Sequence, residues 1–186
     1  DQSKCAKVAI QVVETVMKWF EEPPVWQDED GVLSMTTAPK SDFWRKTHYG
    51  FIRDNGHFYY RKLAGDFSAT VQVVGAYTTL YDQAGLMVRV DAENWMKCGI
   101  EFVEGIHFAS AVVTRDFSDW SVASLGTELA KIWLRVVREG TALLIEYSLD
   151  GTAYVLLRNC YLPMETSVQV GPMAASPGDR GFDVRF

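Results

Sequence analysis

The 186-residue sequence has few cysteines, and the three that it has, Cys5, Cys98 and Cys160, lie far apart. An odd number of cysteines at wide spacing matches neither the disulfide framework of a secreted domain nor the paired ligands of a zinc site. This usage is typical of a reducing compartment. The sequence therefore predicts a cytoplasmic protein.

The sequence also lacks an excess of basic residues and has no long apolar run. Lys and Arg number 18 against 24 Asp and Glu, which gives a net charge of −6, whereas contacts along a phosphate backbone need clustered basic side chains. No stretch has the roughly 20 consecutive apolar residues that a membrane-spanning helix requires. We therefore expect neither nucleic acid nor a membrane among the partners.

Signatures of catalysis and of cofactors are equally scarce. The sequence has no legible Ser-His-Asp arrangement, no glycine-rich phosphate loop and no dinucleotide fingerprint. Its histidines, His48, His57 and His107, are too dispersed to indicate a metal triad. Glu101 and Glu104 stand three residues apart, so on one strand they face opposite sides and cannot flank one bond. We expect no cofactor, no metal and no catalytic residue.

The N-terminal residues allow two interpretations. Apolar side chains recur at near-helical spacing within Ser3–Phe20, whose first residue is a suitable N-cap, and this pattern predicts a short helix. The β-branched run Val8–Val13 favours a strand instead. Pro23-Pro24 ends whichever element precedes it. We predict an N-terminal extension over residues 1–18, with a short helix as the first interpretation and a strand as the alternative, and a single β-sandwich domain over residues 19–186.

Beyond the prolines, short apolar runs alternate with turn dipeptides, a rhythm that is typical of an antiparallel β-sandwich. No ten-residue helical pattern separates the runs, which argues against a parallel α/β sheet. The turn dipeptides are Asp30-Gly31, Asn55-Gly56, Ala64-Gly65, Glu139-Gly140 and Asp150-Gly151. The predicted strands are Val32–Thr37, His57–Leu63, Phe67–Ala76, Gln83–Val90, Trp95–Val103, His107–Thr114, Ile132–Arg138, Ala142–Ser148, Tyr154–Tyr161, Ser167–Met173 and Phe182–Phe186.

Alternation along two of these strands assigns their faces. In Gln83–Val90, alanine, leucine and valine occupy every second position and form a core face, while Arg89 points to the opposite side. Trp95–Val103 follows the same plan, with Lys97 and Glu101 pointing away from its core side. Because the two strands are separated by a short segment, we expect them to pair as a hairpin that brings the three charged side chains onto one surface.

That surface has two interpretations. A solvated face of ordinary charges is the simpler one. The mixture of guanidinium, ammonium, carboxylate and amide groups with aromatic rings, beside glycines where a ligand could approach, favours a binding site. Guanidinium and carboxylate groups bind vicinal hydroxyls through paired hydrogen bonds, and an aromatic ring packs against the apolar C–H face of a sugar.

The segment Asp116–Ser121 is polar and contains two aromatic residues. Asp and Ser side chains stabilise turns, so the segment predicts a turn rather than a binding loop. Arg115 and Trp120 nevertheless stand at the end of a predicted strand. Loops at a strand end commonly form the rim of a pocket, which makes both side chains candidates for such a rim.

Six runs of residues carry a family resemblance that covers roughly Trp19 to Phe186 as a whole. They are Ser41–His57, Tyr81–Asp91, Lys97–Phe102, Val113–Ser121, Tyr147–Gly151 and Val170–Met173. These runs resemble the family named for regulation of enolase. The resemblance implies a concanavalin A-like lectin/glucanase β-sandwich, or jelly roll, similar to the accessory β-sandwich domains of some glycoside hydrolases. The Glu-x-Asp-x-x-Glu strand motif of glucanases in that superfamily is missing from the sequence.

We therefore expect a non-catalytic module that binds a carbohydrate or sugar-like metabolite on a polar, concave sheet face. The expected ligand-binding residues are Gln83, Arg89, Lys97 and Glu101, with Trp44, His48, Tyr49, Trp95, Arg115 and Trp120 near the rim. A regulatory protein that binds a metabolic enzyme such as enolase is the alternative. A third hypothesis is a glycoside-active enzyme that pairs Glu101 with a second acid, Asp82 or Glu146.

Overall fold

The computed structural model describes residues 11–12, 16–164 and 166–186. Within these ranges every regular element is a β-strand, because the apolar runs are short and rich in β-branched and aromatic side chains. No helix among the described residues is long and apolar enough to cross a membrane. The strands are β1 Gln11–Val12, β2 Lys18–Phe20, β3 Val25–Glu29, β4 Val32–Thr36, β5 Phe43–Arg45, β6 Ile52–Asp54, β7 His57–Ala64, β8 Phe67–Gly75, β9 Gln83–Arg89, β10 Asn94–Val103, β11 Ile106–Arg115, β12 Phe117–Gly126, β13 Ile132–Glu139, β14 Ala142–Ser148, β15 Val155–Tyr161, β16 Ser167–Ala175 and β17 Asp183–Arg185.

Two antiparallel sheets pack face to face. The first sheet has the order β1-β7-β16-β9-β10-β11-β12, with β2 also paired to β7, and the second has the order β15-β14-β13-β8-β17-β4-β3. Alternate residues of both sheets meet in one core, which includes Leu86, Ile100, Leu134 and Ile145. This architecture confirms the predicted all-β, concanavalin A-like sandwich.

A second, smaller core lies on the other face of the first sheet. The hairpin β5–β6, which we call the covering hairpin, buries Phe43 against Phe58, Met87 and Trp95 on that face. All four side chains are fully buried. Part of the outer face of the first sheet is therefore a second interior, and polar groups beneath the covering hairpin are removed from water.

Polar contacts fasten the covering hairpin to the sheet. Arg89 on β9 donates two parallel hydrogen bonds, both of 2.8 Å, to the two carboxylate oxygens of Asp54 on β6. Lys97 on β10 donates to the carbonyl oxygen of Phe43 at 2.7 Å. A planar guanidinium suits this bidentate geometry, and pairing with a carboxylate offsets the cost of burying its charge. The face that alternation assigned to Arg89 is therefore largely covered.

The predicted N-terminal helix is absent from the part of that segment which the structure describes. Gln11–Val12 and Lys18–Phe20 are strands, and both pair with β7. Residues 1–10 and 13–15 lie outside the described residues. The helix prediction is wrong for the described part because the edge of β7 offers backbone hydrogen-bond partners, which side-chain spacing alone does not reveal.

The other predicted strands correspond to β4, β7 to β11 and β13 to β17, with ends shifted by at most two residues. The turn predicted at Asp116–Ser121 is wrong except at its first residue. Asp116 has a φ of 62°, which suits a tight turn, but Phe117 already begins β12. This edge strand was missed because small and polar residues dominate it, and its backbone pairing with β11 decides its conformation.

We expect Arg89→Met to lower the free energy of unfolding by about 3 kcal/mol, because it leaves the Asp54 carboxylate beneath the covering hairpin without its partner. Urea denaturation measures the change. The matched control is Arg158→Met, which breaks the pair between Arg158 and the 62% exposed side chain of Asp119 and should cost less than about 1 kcal/mol. Equal losses in the two variants would contradict the structural role of Arg89.

Candidate functional site

A pocket opens where the tip of the covering hairpin stands over the first sheet. It has a volume of about 180 Å³. Its lining residues are Asp42, Trp44, Tyr49, Phe51, Tyr81, Gln83, Lys97, Glu101, Trp120 and Pro177. The exposed members are aromatic and the buried members are polar, so aromatic rings surround the mouth while charged and amide groups form the floor.

The pleat of two strands sets the floor. The predicted pairing of β9 with β10 is confirmed, and it places Gln83 directly opposite Glu101. Lys97 lies on the same face of β10 because alternate residues of a strand point the same way. Val112 on β11 pairs with Lys97 on one side and with Trp120 on the other. Trp120 therefore reaches the pocket from β12. Strand pairing alone thus assembles side chains from three strands.

The Lys97 ammonium is engaged on all sides by the protein. It donates to the Phe43 carbonyl oxygen at 2.7 Å and, through a short bond, to Gln83 Oε1, and it lies 3.6 Å from Asp42 Oδ1. The Gln83 amide in turn donates to Asp42 Oδ1 and to the Tyr81 carbonyl oxygen, each at 3.2 Å. This network joins the floor of the pocket to the covering hairpin.

Glu101 lies at the bottom of the pocket and is 8% exposed. Its Oε2 accepts a hydrogen bond of 2.8 Å from the Ser110 hydroxyl, whose oxygen accepts one of 3.0 Å from the Trp120 indole N–H. Burial raises the pKa of Glu101, while the Lys97 charge and the Ser110 hydrogen bond oppose that rise. Such a carboxyl accepts hydrogen bonds from a ligand when ionised and donates one when protonated.

Aromatic side chains of the covering hairpin form one side of the mouth. The rings of Trp44 and Tyr49 meet edge to face with centroids 5.9 Å apart, and Phe51 stacks on Tyr49 at 5.4 Å. The Tyr49 hydroxyl lies 3.3 Å from the Tyr81 hydroxyl. This hydrogen bond is the largest of the causes that raise the pKa of Tyr81 to about 12. The tyrosine pair therefore links the hairpin tip to the loop before β9.

Most of the predicted site residues come together in this pocket, and some do not. The predicted residues that line it are Trp44, Tyr49, Gln83, Lys97, Glu101 and Trp120. The predicted residues that lie outside its lining are His48, Arg89, Trp95 and Arg115. The predicted residues that line the pocket thus include its polar floor, which the pleat of the strands sets, and aromatic residues of its mouth.

Arg89 and Trp95 lie beneath the covering hairpin rather than at the mouth. The Arg89 guanidinium is held by Asp54 and has the Phe20 ring 4.5 Å away on its face. Trp95 is 0% exposed and packs against Phe43 with ring centroids 6.1 Å apart. Both side chains stabilise the hairpin that forms one wall of the pocket, so they support the site from behind.

Arg115 and His48 lie beside other rings. Arg115 stands at the far end of β11, with its guanidinium 5.7 Å from the centre of the Tyr161 ring. His48 contacts Tyr49 edge to face at 4.7 Å in the tight turn of the covering hairpin, where its φ is 63°. His48 therefore reaches the pocket only through Tyr49.

Sequence reasoning missed part of the lining, namely Asp42, Phe51, Tyr81 and Pro177. These residues come from the covering hairpin and from loops, whose approach to the sheet depends on contacts distant in sequence. The runs Ser41–His57 and Tyr81–Asp91, which carry the family resemblance, contain three of them. Attention to those runs as whole segments could have found these residues.

The glycines on this face serve the sheet rather than a ligand. A Cβ atom at Gly85 would lie 1.9 Å from the Cys98 carbonyl oxygen, and one at Gly99 would lie 2.0 Å from the Ala84 carbonyl oxygen. The neighbouring backbone thus fills the space that a side chain would need. Glycine is required here so that β9 and β10 can approach each other closely.

Asp82 and Glu146, the predicted alternatives for a second acid beside Glu101, do not line the pocket. Asp82 is fully buried and accepts hydrogen bonds from the loop that precedes it. Glu146 belongs to the second sheet, where Arg135 donates to it at 2.7 Å. The carboxyl that shares the pocket with Glu101 is Asp42. Among the described residues, no group of three or more His, Cys, Asp or Glu could hold a metal ion.

Fold and site together define a class of protein: a concanavalin A-like β-sandwich in which a covering hairpin builds an aromatic-mouthed pocket on one sheet. The chain belongs to the family described as "Protein of unknown function (DUF1349)", which matches residues 19–186. It is 42% identical over 168 residues to regulation of enolase protein 1 from Saccharomyces cerevisiae, covering 90% of this chain and 85% of that protein. The predicted membership of the regulation-of-enolase family is confirmed.

Solved structures share the fold. A crystal structure of a functionally unknown protein from Saccharomyces cerevisiae superposes with a TM-score of 0.87 at 41% identity, covering 91% of each chain. The carbohydrate binding module CBM66 from Bacillus subtilis superposes with a TM-score of 0.55 at 14% identity, covering 90% of this chain and 91% of that one. At this low identity, the second likeness concerns the fold alone.

We expect Glu101→Gln to gain stability relative to the wild type as the pH rises. Because burial raises the pKa of Glu101 above its usual 4.5, the folded protein holds this proton more tightly than the unfolded chain does. The wild type therefore loses this contribution as the pH rises through the raised pKa, and glutamine does not titrate. Urea denaturation between pH 4 and pH 8 measures the difference.

The control for this comparison is Glu104→Gln, the same change in an exposed turn, which shows the effect of replacing a carboxyl with an amide outside the pocket. If the wild type instead gained on Glu101→Gln as the pH rose, the folded state would favour the ionised carboxylate. That result would contradict the burial argument.

Proposed function

We propose that the chain is a non-catalytic module that binds a carbohydrate or a sugar-like metabolite in this pocket. The observation that carries the proposal is the junction of exposed aromatic rings at the mouth with buried carboxylate and amide groups on the floor. Aromatic faces pack against the C–H face of a sugar, and carboxylate and amide groups bind its hydroxyls. Small-molecule sites usually combine an aromatic lining with few convergent polar groups.

The fold gives weaker support than the pocket does. The sandwich is shared with a protein described as a carbohydrate binding module, but one fold hosts many functions. The contacts of Asp42, the second carboxyl of the pocket, favour binding of a sugar over its hydrolysis. Asp42, which shares the pocket, is committed at Oδ1 to the Phe43 N–H and the Gln83 amide and lies beside the Lys97 ammonium.

We expect Trp120→Ala to weaken sugar binding about fivefold, because a ring that packs on a sugar contributes on the order of 1 kcal/mol. Isothermal titration calorimetry against a panel of methyl glycosides, oligosaccharides and sugar phosphates measures it. The matched control is Trp133→Ala, which removes the same ring from β13, where the neighbouring residues Ile132 and Leu134 face the core. The wild type should also release no product from chromogenic glycosides.

The proposal fails if no compound of the panel binds the wild type. It also fails if Trp120→Ala and Trp133→Ala bind the best ligand equally well. Circular dichroism and thermal melting of both variants ensure that a lost affinity reflects the pocket and not unfolding.

A second candidate function is the regulation of a metabolic enzyme, with enolase as the partner. The observation that favours it is the 42% identity to a protein named regulation of enolase protein 1. The covering hairpin exposes Tyr49, Phe51 and Ile52, and exposed apolar side chains that cluster in this way often mark a surface for protein contact. Partner binding would then use the hairpin that also forms the pocket.

Sedimentation velocity of the chain mixed with purified enolase tests this second candidate. We expect a complex at micromolar concentrations, and we expect Ile52→Asp to weaken it at least tenfold. The control is Leu156→Asp, which places the same charge on β15 at a residue that is 56% exposed. Two unchanged, separate boundaries at every mixing ratio would rule out the complex.

A further inference from the structure

The pocket has few hydrogen-bond donors left for an anion. An ammonium group has three donors; Lys97 donates to the Phe43 carbonyl oxygen at 2.7 Å and to Gln83 Oε1, and its charge pairs with Asp42 Oδ1 at 3.6 Å. The Gln83 amide donors are directed to Asp42 and to the Tyr81 carbonyl oxygen. Lys97 is the single cationic side chain in the described lining, so the cation of this pocket is committed to the protein.

Acceptors remain in the same pocket. A carboxylate offers about four lone-pair sites. Asp42 accepts at Oδ1 from the Phe43 N–H and the Gln83 amide, and Glu101 accepts at Oε2 from the Ser110 hydroxyl. The second oxygen of each carboxyl therefore keeps capacity for a ligand. A ligand that donates hydrogen bonds would therefore find free acceptor oxygens in the pocket.

The balance of charge points the same way. Two carboxyl groups and one ammonium line the pocket, so their sum is negative when both carboxyls are ionised. Like charges repel strongly where little water separates them. A phosphate or carboxylate on the ligand would face this repulsion without a free cation to offset it.

The size of the pocket limits the ligand to one ring. Its volume of about 180 Å³ is below the range of roughly 300–1,000 Å³ that is typical of sites for drug-sized ligands. The Tyr49 and Tyr81 hydroxyls, 3.3 Å apart, close one side of the mouth. An extended sugar chain would therefore lie outside, with only one unit inserted.

We propose that the site binds one non-anionic monosaccharide unit, free or at the end of a chain, whose hydroxyl or amino groups donate hydrogen bonds to Glu101 and Asp42. Sugar acids and sugar phosphates with the same ring are rejected. This inference rests on the proposed sugar-binding function, and it adds the charge and the length of the ligand.

Isothermal titration calorimetry with matched probes tests the inference. The probes are neutral methyl hexosides and pentosides, the corresponding uronic acids and 6-phosphates, the 2-amino sugars, and di- and trisaccharides that end in the best neutral ring. We expect the best neutral or amino sugar to bind at least about tenfold more tightly than its acid and its phosphate. Added units should change the affinity by less than about threefold, because they lie outside the pocket.

Variants separate charge from shape. Glu101→Gln should weaken binding of the neutral ring about tenfold, because a charged acceptor is lost, and it should narrow the gap between the neutral ring and its acid. Glu139→Gln, which removes one exposed carboxylate at the end of β13 in the second sheet, is the matched control and should leave the affinity for the neutral ring unchanged.

The outcomes are distinct. An acid or a phosphate that binds as tightly as its neutral ring overturns the inference and leaves the sugar-binding function standing. Affinity that keeps growing with chain length overturns the single-unit part in the same way. Silence across all probes overturns the proposed function itself, and the inference with it.

Discussion

The site depends on one interaction, the docking of the covering hairpin onto the outer face of the first sheet. The hairpin supplies Phe43 to a second core, and the carbonyl oxygen of the same residue accepts the hydrogen bond of Lys97. Without this contact the Lys97 ammonium would stand in open solvent and the pocket would lose its aromatic wall. An ordinary charged sheet face thus becomes an enclosed polar site.

Burying charge in this way is costly, and the structure shows how the cost is offset. Removing an ion from water is unfavourable unless partners replace its hydration. Arg89 receives a bidentate carboxylate from Asp54, and Lys97 receives carbonyl, amide and carboxylate oxygens. Glu101 is less well compensated, so its pKa rises. Incomplete compensation at a pocket floor is typical of functional sites, which retain unfavourable groups for the sake of a ligand.

The sandwich is evidence about the fold of the protein, whereas the pocket is evidence about its function. A TM-score of 0.55 to a carbohydrate binding module at 14% identity concerns a way of stacking two sheets, which many unrelated functions use. The pocket depends instead on the side chains at its mouth and floor. Trp120 lies on the edge strand β12, and Tyr49 lies on the covering hairpin, so both lie outside the core between the two sheets.

The sequence by itself determined the sheet faces, because the period of two in a strand fixes which side chains share a side. Lys97 and Glu101 could therefore be assigned to one surface in advance, as could the pairing of β9 with β10. Only the tertiary structure decided what lies above that surface. The covering hairpin and β12 have weak local patterns, since backbone pairing and contacts distant in sequence fix them. For that reason the sequence did not predict Asp42 in the pocket, and Arg89 and Trp95, which it placed there, lie beneath the covering hairpin instead.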